Sequence, residues 1–328
     1  MKKLKILCLL DSLTYTGLKM ENNIILFPML RNIILNKFFN PDLILVESAW
    51  FGYRNIWKHK LVNFPDKKAD LKIIVKMLEW ANEKKIPVIF WNKEDPIHFE
   101  KFQECANLFE YVATTDSNCI EKYSAAKGSF YLPFAYQPRI HNFKITDINN
   151  RSRNGIFMGS YLTNNHPNRK AWQDSYFPIF SKYGLDIYDR NSKLKNKNYQ
   201  FPSYDNVRIF DAVEYKETGK VMRNYLYSIN VNSITNSPTM FSRRILESIA
   251  SGCIVFSNKS EAIDNLFPDC CLQIENKDQL EFHLENIRNG NTSEYNEMRK
   301  HAYDLIEKKY SYENWIKIIS DEMGLKIN

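Results

Sequence analysis

The chain has 328 residues, 44% hydrophobic and 25% charged, a composition ordinary for a globular protein and long enough for two domains. Its formal net charge of +7 suits an anionic partner, yet no basic block with interleaved aromatics points to nucleic acid. Cys8, Cys105, Cys119, Cys253, Cys270 and Cys271 show neither C-x-x-C spacing nor a histidine at metal-ligand spacing, so buried free thiols are expected rather than a zinc site.

The first apolar run, Ile6–Leu10, follows a basic start and stops at Asp11. It is too short for the core of a secretion signal and has no small-residue cleavage site after it, so it reads as a strand of a cytoplasmic protein. No run approaches the length of a membrane span. The basic balance leaves peripheral contact with an anionic membrane open.

The first half repeats one pattern, an apolar strand that ends in polar residues and is followed by a helical segment. "KILCLLD" ends at Asp11, "DLILVESAW" at Glu47-Ser48, "IPVIFWNKEDP" at Asn92–Pro96 and "YVATTD" at Thr114–Asp116. Between the second and third, Leu71, Ile74, Val75, Leu78 and Ala81 recur at helical spacing, predicting a helix over Ala69–Lys85. Strands alternating with helices imply parallel α/β layers, whose ligands bind beyond the carboxyl ends of the strands. "LPFAYQPRIHNFK" (132–144) carries two prolines and marks a boundary, predicting domains over 1–140 and 141–310. In the second half "NGIFMGSY", "LDIYDR", "NVRIFDAV", "YSINVNS" and "CIVFSN" are strand candidates. Helices are expected at Arg169–Tyr183, Tyr215–Tyr225, Phe241–Ser251 and Glu261–Leu266. At the end, Trp315, Ile318, Ile319 and Met323 share a helical face, and the segment 311–328 is expected to pack back on the first domain.

"SPTMFSRRILESIASGCIVFS" (237–257) combines local signals that conflict. Ser237 and Pro238 read as an N-cap and first helical residue, and Gly252 as a stop before a strand. Arg243 and Arg244 early in that helix oppose its dipole, and Arg243 before Glu247 is the weaker order for an i,i+4 pair. A bound anion at the helix start and a hydroxyl-bearing ligand near Glu247 would account for both. A solvated charged face is the plain alternative. A helix N-terminus at a strand's carboxyl end, with arginines and a carboxylate, describes a site for a nucleoside diphosphate.

This stretch resembles the donor-site helix of GT-B glycosyltransferases of the CgeB-like (spore-maturation protein) group. "FWNKEDPIHFEKF", "YVATTD", "LPFAYQP", "GSYLTNNHPNR" and "LDIYDRN" resemble the same group in the same order. The resemblance implies an α/β GT-B fold, two Rossmann-like doubly wound domains facing each other across a cleft. It implies a metal-independent enzyme without a cofactor, moving a sugar from a nucleoside-diphosphate donor, by family habit UDP-linked, to a glycan, lipid-linked or protein acceptor. A role in cell-surface glycan biosynthesis and no nucleic-acid partner go with it. By position, Glu247 matches the carboxylate that contacts the donor ribose and Arg243 or Arg244 the diphosphate contact. Gly159, Ser160, Arg190, Ser237 and Thr239 complete the expected donor set. Thr239 stands where related enzymes often carry a second glutamate, which leaves the geometry around the transferred sugar and the stereochemical outcome open. His166 and Arg169 follow the Gly159-Ser160 turn and read equally as a solvated loop.

For the acceptor hydroxyl, Asp95 and Glu94 form the best carboxylate pair of the first domain, with His98 a turn later. The structural alternative is that Asp95-Pro96 caps a helix starting at Ile97. Glu47 and Asp116 are further strand-end carboxylates. No G-x-S-x-G elbow, no G-x-x-x-x-G-K-[ST] loop and no G-x-G-x-x-G after the first strand occur, which disfavours a serine hydrolase, an ATPase and an N-terminal dinucleotide site. A nucleotide-sugar epimerase of the same architecture and a non-catalytic glycosyltransferase-like binding subunit are the remaining alternatives.

Overall fold

The computed structural model describes residues 3–143, 151–161, 166–194 and 196–325. Two compact units divide them, one drawn from residues 1–137, 238–240 and the chain from Tyr312 on, the other from residues 138–237 and 241–311.

In the first unit the chain runs β1 (Leu4–Leu9), α1 (Ser12–Leu18), β2 (Ile24–Pro28), α2 (Ile33–Lys37), β3 (Leu43–Glu47), α3 (Lys72–Lys84), β4 (Val88–Asn92), α4 (Phe99–Ala106), β5 (Tyr111–Thr114) and β6 (Gly128–Tyr131). The strands form a sheet in the order β2-β1-β3-β4-β5-β6, with all pairs parallel. Strand β3 is buried at every residue, the signature of a parallel sheet covered on both faces. On one face α3 turns Ile74, Met77, Trp80 and Ala81 inward at helical spacing. The other face is covered by a C-terminal helix (Tyr312–Glu322), which contributes Tyr312, Trp315, Ile316 and Ile319. Trp315 Nε1 donates to the Pro133 carbonyl at 3.0 Å, so the buried indole is satisfied.

The second unit contains β7 (Ser152–Gly159), α5 (Pro167–Lys182), β8 (Leu185–Asp189), β9 (Val207–Asp211), α6 (Tyr215–Met222), β10 (Tyr225–Asn230), α7 (Arg244–Ala250), β11 (Ile254–Asn258), α8 (Glu261–Leu266), β12 (Leu272–Ile274), α9 (Lys277–Arg288) and α10 (Ser293–Lys309). Its sheet is also parallel, in the order β12-β11-β10-β7-β8-β9. Helix α7 is buried from Ile245 to Ala250 and turns out at Gly252, whose φ of 73° needs a residue without Cβ. Arg151 and Arg299 both donate to the Gly252 carbonyl, placing cations where the helix dipole is negative.

Two sequence expectations about helix starts are corrected. The chain at Ser237–Ser242 is irregular, and α7 begins at Arg244 with Arg243 at its N-cap. Tertiary contacts override the Ser-Pro signal here. Residues 238–240 belong to the first unit, where Thr239 Oγ1 accepts the Ser117 N–H at 2.8 Å. The Ser242 N–H is instead taken by the Asn232 side chain at 2.9 Å. Similarly, α4 starts at Phe99 rather than Ile97, with His98 at its N-cap and no cap from Asp95.

Candidate functional site

At the carboxyl end of β7 the backbone reaches Gly159 and the fully buried Ser160. Three elements bring guanidinium groups to this point. Arg169 stands in the first turn of α5, Arg190 directly follows β8, and Arg244 opens α7. Arg169 Nη2 donates to the Ser160 carbonyl at 2.7 Å and Arg190 Nη2 to the Ser160 hydroxyl at 3.3 Å. The Arg190 N–H donates to the Gly159 carbonyl at 2.8 Å. Arg244 Nε donates to the Met158 carbonyl at 2.6 Å, and its guanidinium lies 4.7 Å from the Phe157 ring centroid. A Cβ at Gly159 would meet Arg244 Nη2 at 2.7 Å, so glycine is what lets the guanidinium lie this close to the strand end.

Like charges crowd here, with Asp189 close to Arg190 and Glu247 close to Arg244 on the opposing side. Burial pushes Arg244 down to about 9, and Arg169 and Arg190 press in the same direction. Burial pushes Arg169 down to about 10, with Arg190 adding to it. Arg244 Nη1 and Arg169 Nε are shielded from solvent and have no hydrogen-bond partner among the described residues. Buried donors are normally satisfied, and like charges crowd at a cost. Guanidinium groups crowded in this way have the chemistry to bind a multivalent anion.

The two consecutive arginines of α7 have different surroundings. While Arg244 turns to the end of β7, Arg243 Nε lies 3.1 Å from Glu247 Oε1 in an i,i+4 ion pair. Arg243 also lies over the Tyr215 ring, 6.0 Å from its centroid. Burial pushes the Glu247 carboxyl up, against the pull of Arg243 and Arg244. Ser237 is buried in the second unit, and Thr239 is placed with Ser117 in the first. His166, left-handed at φ 60°, is the N-cap of α5, while the 162–165 part of the "GSYLTNNHPNR" motif lies outside the described residues.

In the first unit the strand ends carry both signs of charge. Lys93 Nζ sits 2.8 Å from Asp11 Oδ2 and 2.9 Å from Glu47 Oε1. Burial works against this ammonium, but Glu47 and Asp11 hold it charged above the usual lysine range. The Asp11 carboxylate also accepts the N–H groups of Trp50, Phe51 and Gly52, pinning the loop after β3. Asp95 is fully buried and accepts from Asn92 Nδ2 at 2.7 Å, Thr114 Oγ1 at 2.6 Å and the Tyr123 hydroxyl at 2.7 Å. Burial pushes it up to about 6 in spite of those donors. Glu94 is half-buried. His98 packs edge-on to Trp50 at 5.1 Å, and burial with nearby Lys101 pushes it down to about 4. Asp116 caps the turn after β5 through the Asn118 N–H at 3.0 Å.

Sequence reasoning missed the Asp11–Lys93 pairing, whose partners are 82 positions apart, and left Arg169 as an equal choice with a loop. Only the fold joins them. Among the described residues no group of three or more His, Cys, Asp or Glu could hold a metal ion, and no helix is long and apolar enough to cross a membrane.

A glycosyl transferase-like family model matches residues 170–321, which include Arg190, Arg243, Arg244 and Glu247. No protein of curated function matches the chain. Among solved structures, the chain is similar to an alpha-glucosyltransferase in complex with UDP-glucose and DNA containing an abasic site. That match has a TM-score of 0.66 at 12% identity and covers 97% of this chain and 98% of the other. HepE of Anabaena, in complex with UDP and glucose, matches with a TM-score of 0.56 at 11% identity, over 98% of this chain and 99% of the other. A UDP-forming α,α-trehalose-phosphate synthase from Burkholderia xenovorans matches with a TM-score of 0.56 at 7% identity, over 100% of both chains. Two parallel six-stranded sheets flanked by helices, matched over nearly the whole chain, give this protein the α/β fold of GT-B glycosyltransferases, with two Rossmann-like domains.

Proposed function

We propose that the protein is a glycosyltransferase that transfers a sugar from a nucleoside-diphosphate donor, with UDP as the nucleotide, without a metal ion. The observation that carries this reading is the cluster of Arg169, Arg190 and Arg244 at the end of β7, with buried donors on Arg169 and Arg244 that no described residue uses. In this reading the diphosphate lies against those guanidiniums and the Gly159-Ser160 turn. Glu247, held by Arg243, accepts the ribose hydroxyls. As the sugar–phosphate bond breaks, negative charge grows on the leaving diphosphate, and fixed cations in a shielded site stabilise it where other enzymes use a divalent ion. Matches to structures that hold UDP and UDP-glucose support the choice of nucleotide.

The acceptor, a glycan, lipid-linked or protein hydroxyl, is assigned to the first unit. Glu94 and His98 are the groups assigned to its proton, His98 being a neutral base at pH 7. Asp95 is assigned to holding the β4 and β5 ends, because its carboxyl is occupied by Asn92, Thr114 and Tyr123.

The test is calorimetric titration with UDP, UMP and uridine, followed by UDP release from UDP-glucose with and without EDTA. UDP should bind at least about tenfold more tightly than UMP, because the second phosphate adds charge-assisted bonds of about 1.5 kcal/mol or more. Turnover should survive EDTA. Equal affinities for UDP and uridine, or strict dependence on Mg²⁺ or Mn²⁺, would overturn the reading.

A further inference from the structure

Helix α2 of the first unit is inside out. Its polar Asn36 is completely buried, while Ile34 is 65% exposed, Leu35 47% and, just past the helix, Phe38 79%. The inversion is fixed by bonds on both sides. Asn36 Oδ1 accepts the Leu30 N–H at 2.8 Å, and Asn36 Nδ2 donates to the Leu30 carbonyl at 2.7 Å. The Asn32 side chain caps the helix start by accepting the N–H groups of Ile34 and Leu35. Phe39 stacks on Phe27 with ring centroids 4.7 Å apart and anchors the far end. The segment is therefore held in a register that turns an aromatic and two aliphatic side chains outward, while Ile33 and Phe39 pack against the core. Isolated exposed apolar residues are normal, but a fixed cluster of this kind marks a surface that meets an apolar phase.

The surroundings are basic. Arg31 and Lys37 flank the cluster, with the Lys37 ammonium 6.0 Å from the Trp80 ring centroid of α3. Helix α3 adds exposed Lys72 and Lys76 and a 38% exposed Val75. Asp70 pairs with Arg31 and Lys60, and α3 also carries the exposed Glu79 and Glu83, so the cationic surplus rests on Lys37, Lys72 and Lys76. Long cationic side chains around a shallow apolar wedge suit a bilayer interface, where they reach lipid phosphates while the wedge enters the acyl boundary. We propose that this face, Ile34, Leu35 and Phe38 with Arg31 and Lys37, docks the protein on an anionic lipid bilayer. No helix among the described residues crosses a membrane, so the contact is interfacial.

Co-sedimentation of the full chain with vesicles of phosphatidylcholine, alone or mixed with phosphatidylserine, tests the proposal. The wild type should pellet with the mixed vesicles and much less with phosphatidylcholine alone. Phe38→Ser and Ile34→Ser should each weaken partitioning by about tenfold or more, from the apolar area they remove. Lys37→Glu should weaken it by about fivefold or more, and only on the anionic vesicles. These positions are exposed, so circular dichroism and melting should match wild type; partitioning by a soluble fluorescent conjugate of the wild type gives a second readout. Wild-type protein that stays in the supernatant, or Phe38→Ser that pellets like wild type, would overturn the proposal. So would a concentration-dependent dimer that Phe38→Ser breaks in the absence of any vesicle binding, since the face would then belong to a second copy.

Discussion

At the carboxyl ends of β1, β3 and β4 the first unit sets Lys93 between Asp11 and Glu47, so that each charge has an opposite neighbour within 3 Å. At the ends of β7 and β8 and the start of α7 the second unit gathers Arg169, Arg190 and Arg244, with Arg169 and Arg244 donating to the neutral carbonyls of Ser160 and Met158. Both are strand-end charge clusters in parallel sheets of six strands. The first closes on itself and uses Asp11 to hold a loop. The second crowds three guanidiniums together, and Glu247 opposes that crowding at Arg244. Compensation is what a structural cluster needs. Its lack is what a ligand site with an anionic ligand can tolerate.

Removing one partner should therefore have unlike consequences in the two units. The largest effect is expected from Lys93→Met, which leaves Glu47 buried beside Asp11 without a cation; stability should fall by about 3–5 kcal/mol in urea unfolding. A loss below about 1 kcal/mol would mean that the first cluster is not held by its ion pairs.

A second difference is in pH response. His141 in the second unit is buried, bonded through Nε2 to Thr218 Oγ1 at 2.9 Å, and pushed down to about 3 by burial with Arg243 and Arg223 nearby. A depressed folded pKa means that the unfolded chain takes up the proton first. The neutral ring's contribution is thus full above about pH 6.5 and falls with acidification at up to about 1.4 kcal/mol per pH unit. Wild type should lose about 2 kcal/mol more than His141→Gln between pH 6.5 and 4.5, read from urea midpoints at each pH. Parallel losses in both proteins would remove His141 from the account.

A smaller and more selective effect is expected from Glu247→Ala. If its carboxylate holds ribose hydroxyls, UDP affinity should drop by about 1–2 kcal/mol while pyrophosphate binds as before or more tightly, as the arginines lose an opposing charge. Equal loss for both ligands would place Glu247 in the phosphate site instead.

Much of the fold was legible because buried parallel strands write themselves as continuous apolar runs, as in Leu43–Glu47 and Ile254–Asn258. The strands Ile24–Pro28, Gly128–Tyr131 and Leu272–Ile274 were not, because each is a short strand at a sheet edge with little periodicity to read. The helices Lys277–Arg288 and Ser293–Lys309 bury only a narrow stripe among many charges. At the site, the conflict between Arg243-Arg244 and the helix dipole was visible in the chain, but its resolution needed tertiary structure. Arg243 turns to Glu247, and Arg244 reaches a strand end 86 positions earlier in sequence. The Ser237-Pro238 signal misled because residues 238–240 are held by the first unit and not by the helix they precede.

Arg244→Gln, assayed for both melting temperature and UDP affinity, tests most directly whether the arginine cluster is an anion site. Without ligand the variant should melt within about 1 kcal/mol of wild type, because relief of like-charge crowding offsets the lost bond to Met158. With UDP its affinity should fall by about 1.5–3 kcal/mol, roughly ten- to 150-fold, as a charge-assisted bond to the diphosphate disappears. A variant that loses several kcal/mol of stability without ligand while any folded fraction binds UDP as wild type does would contradict the account, and Arg244 would then be a structural residue.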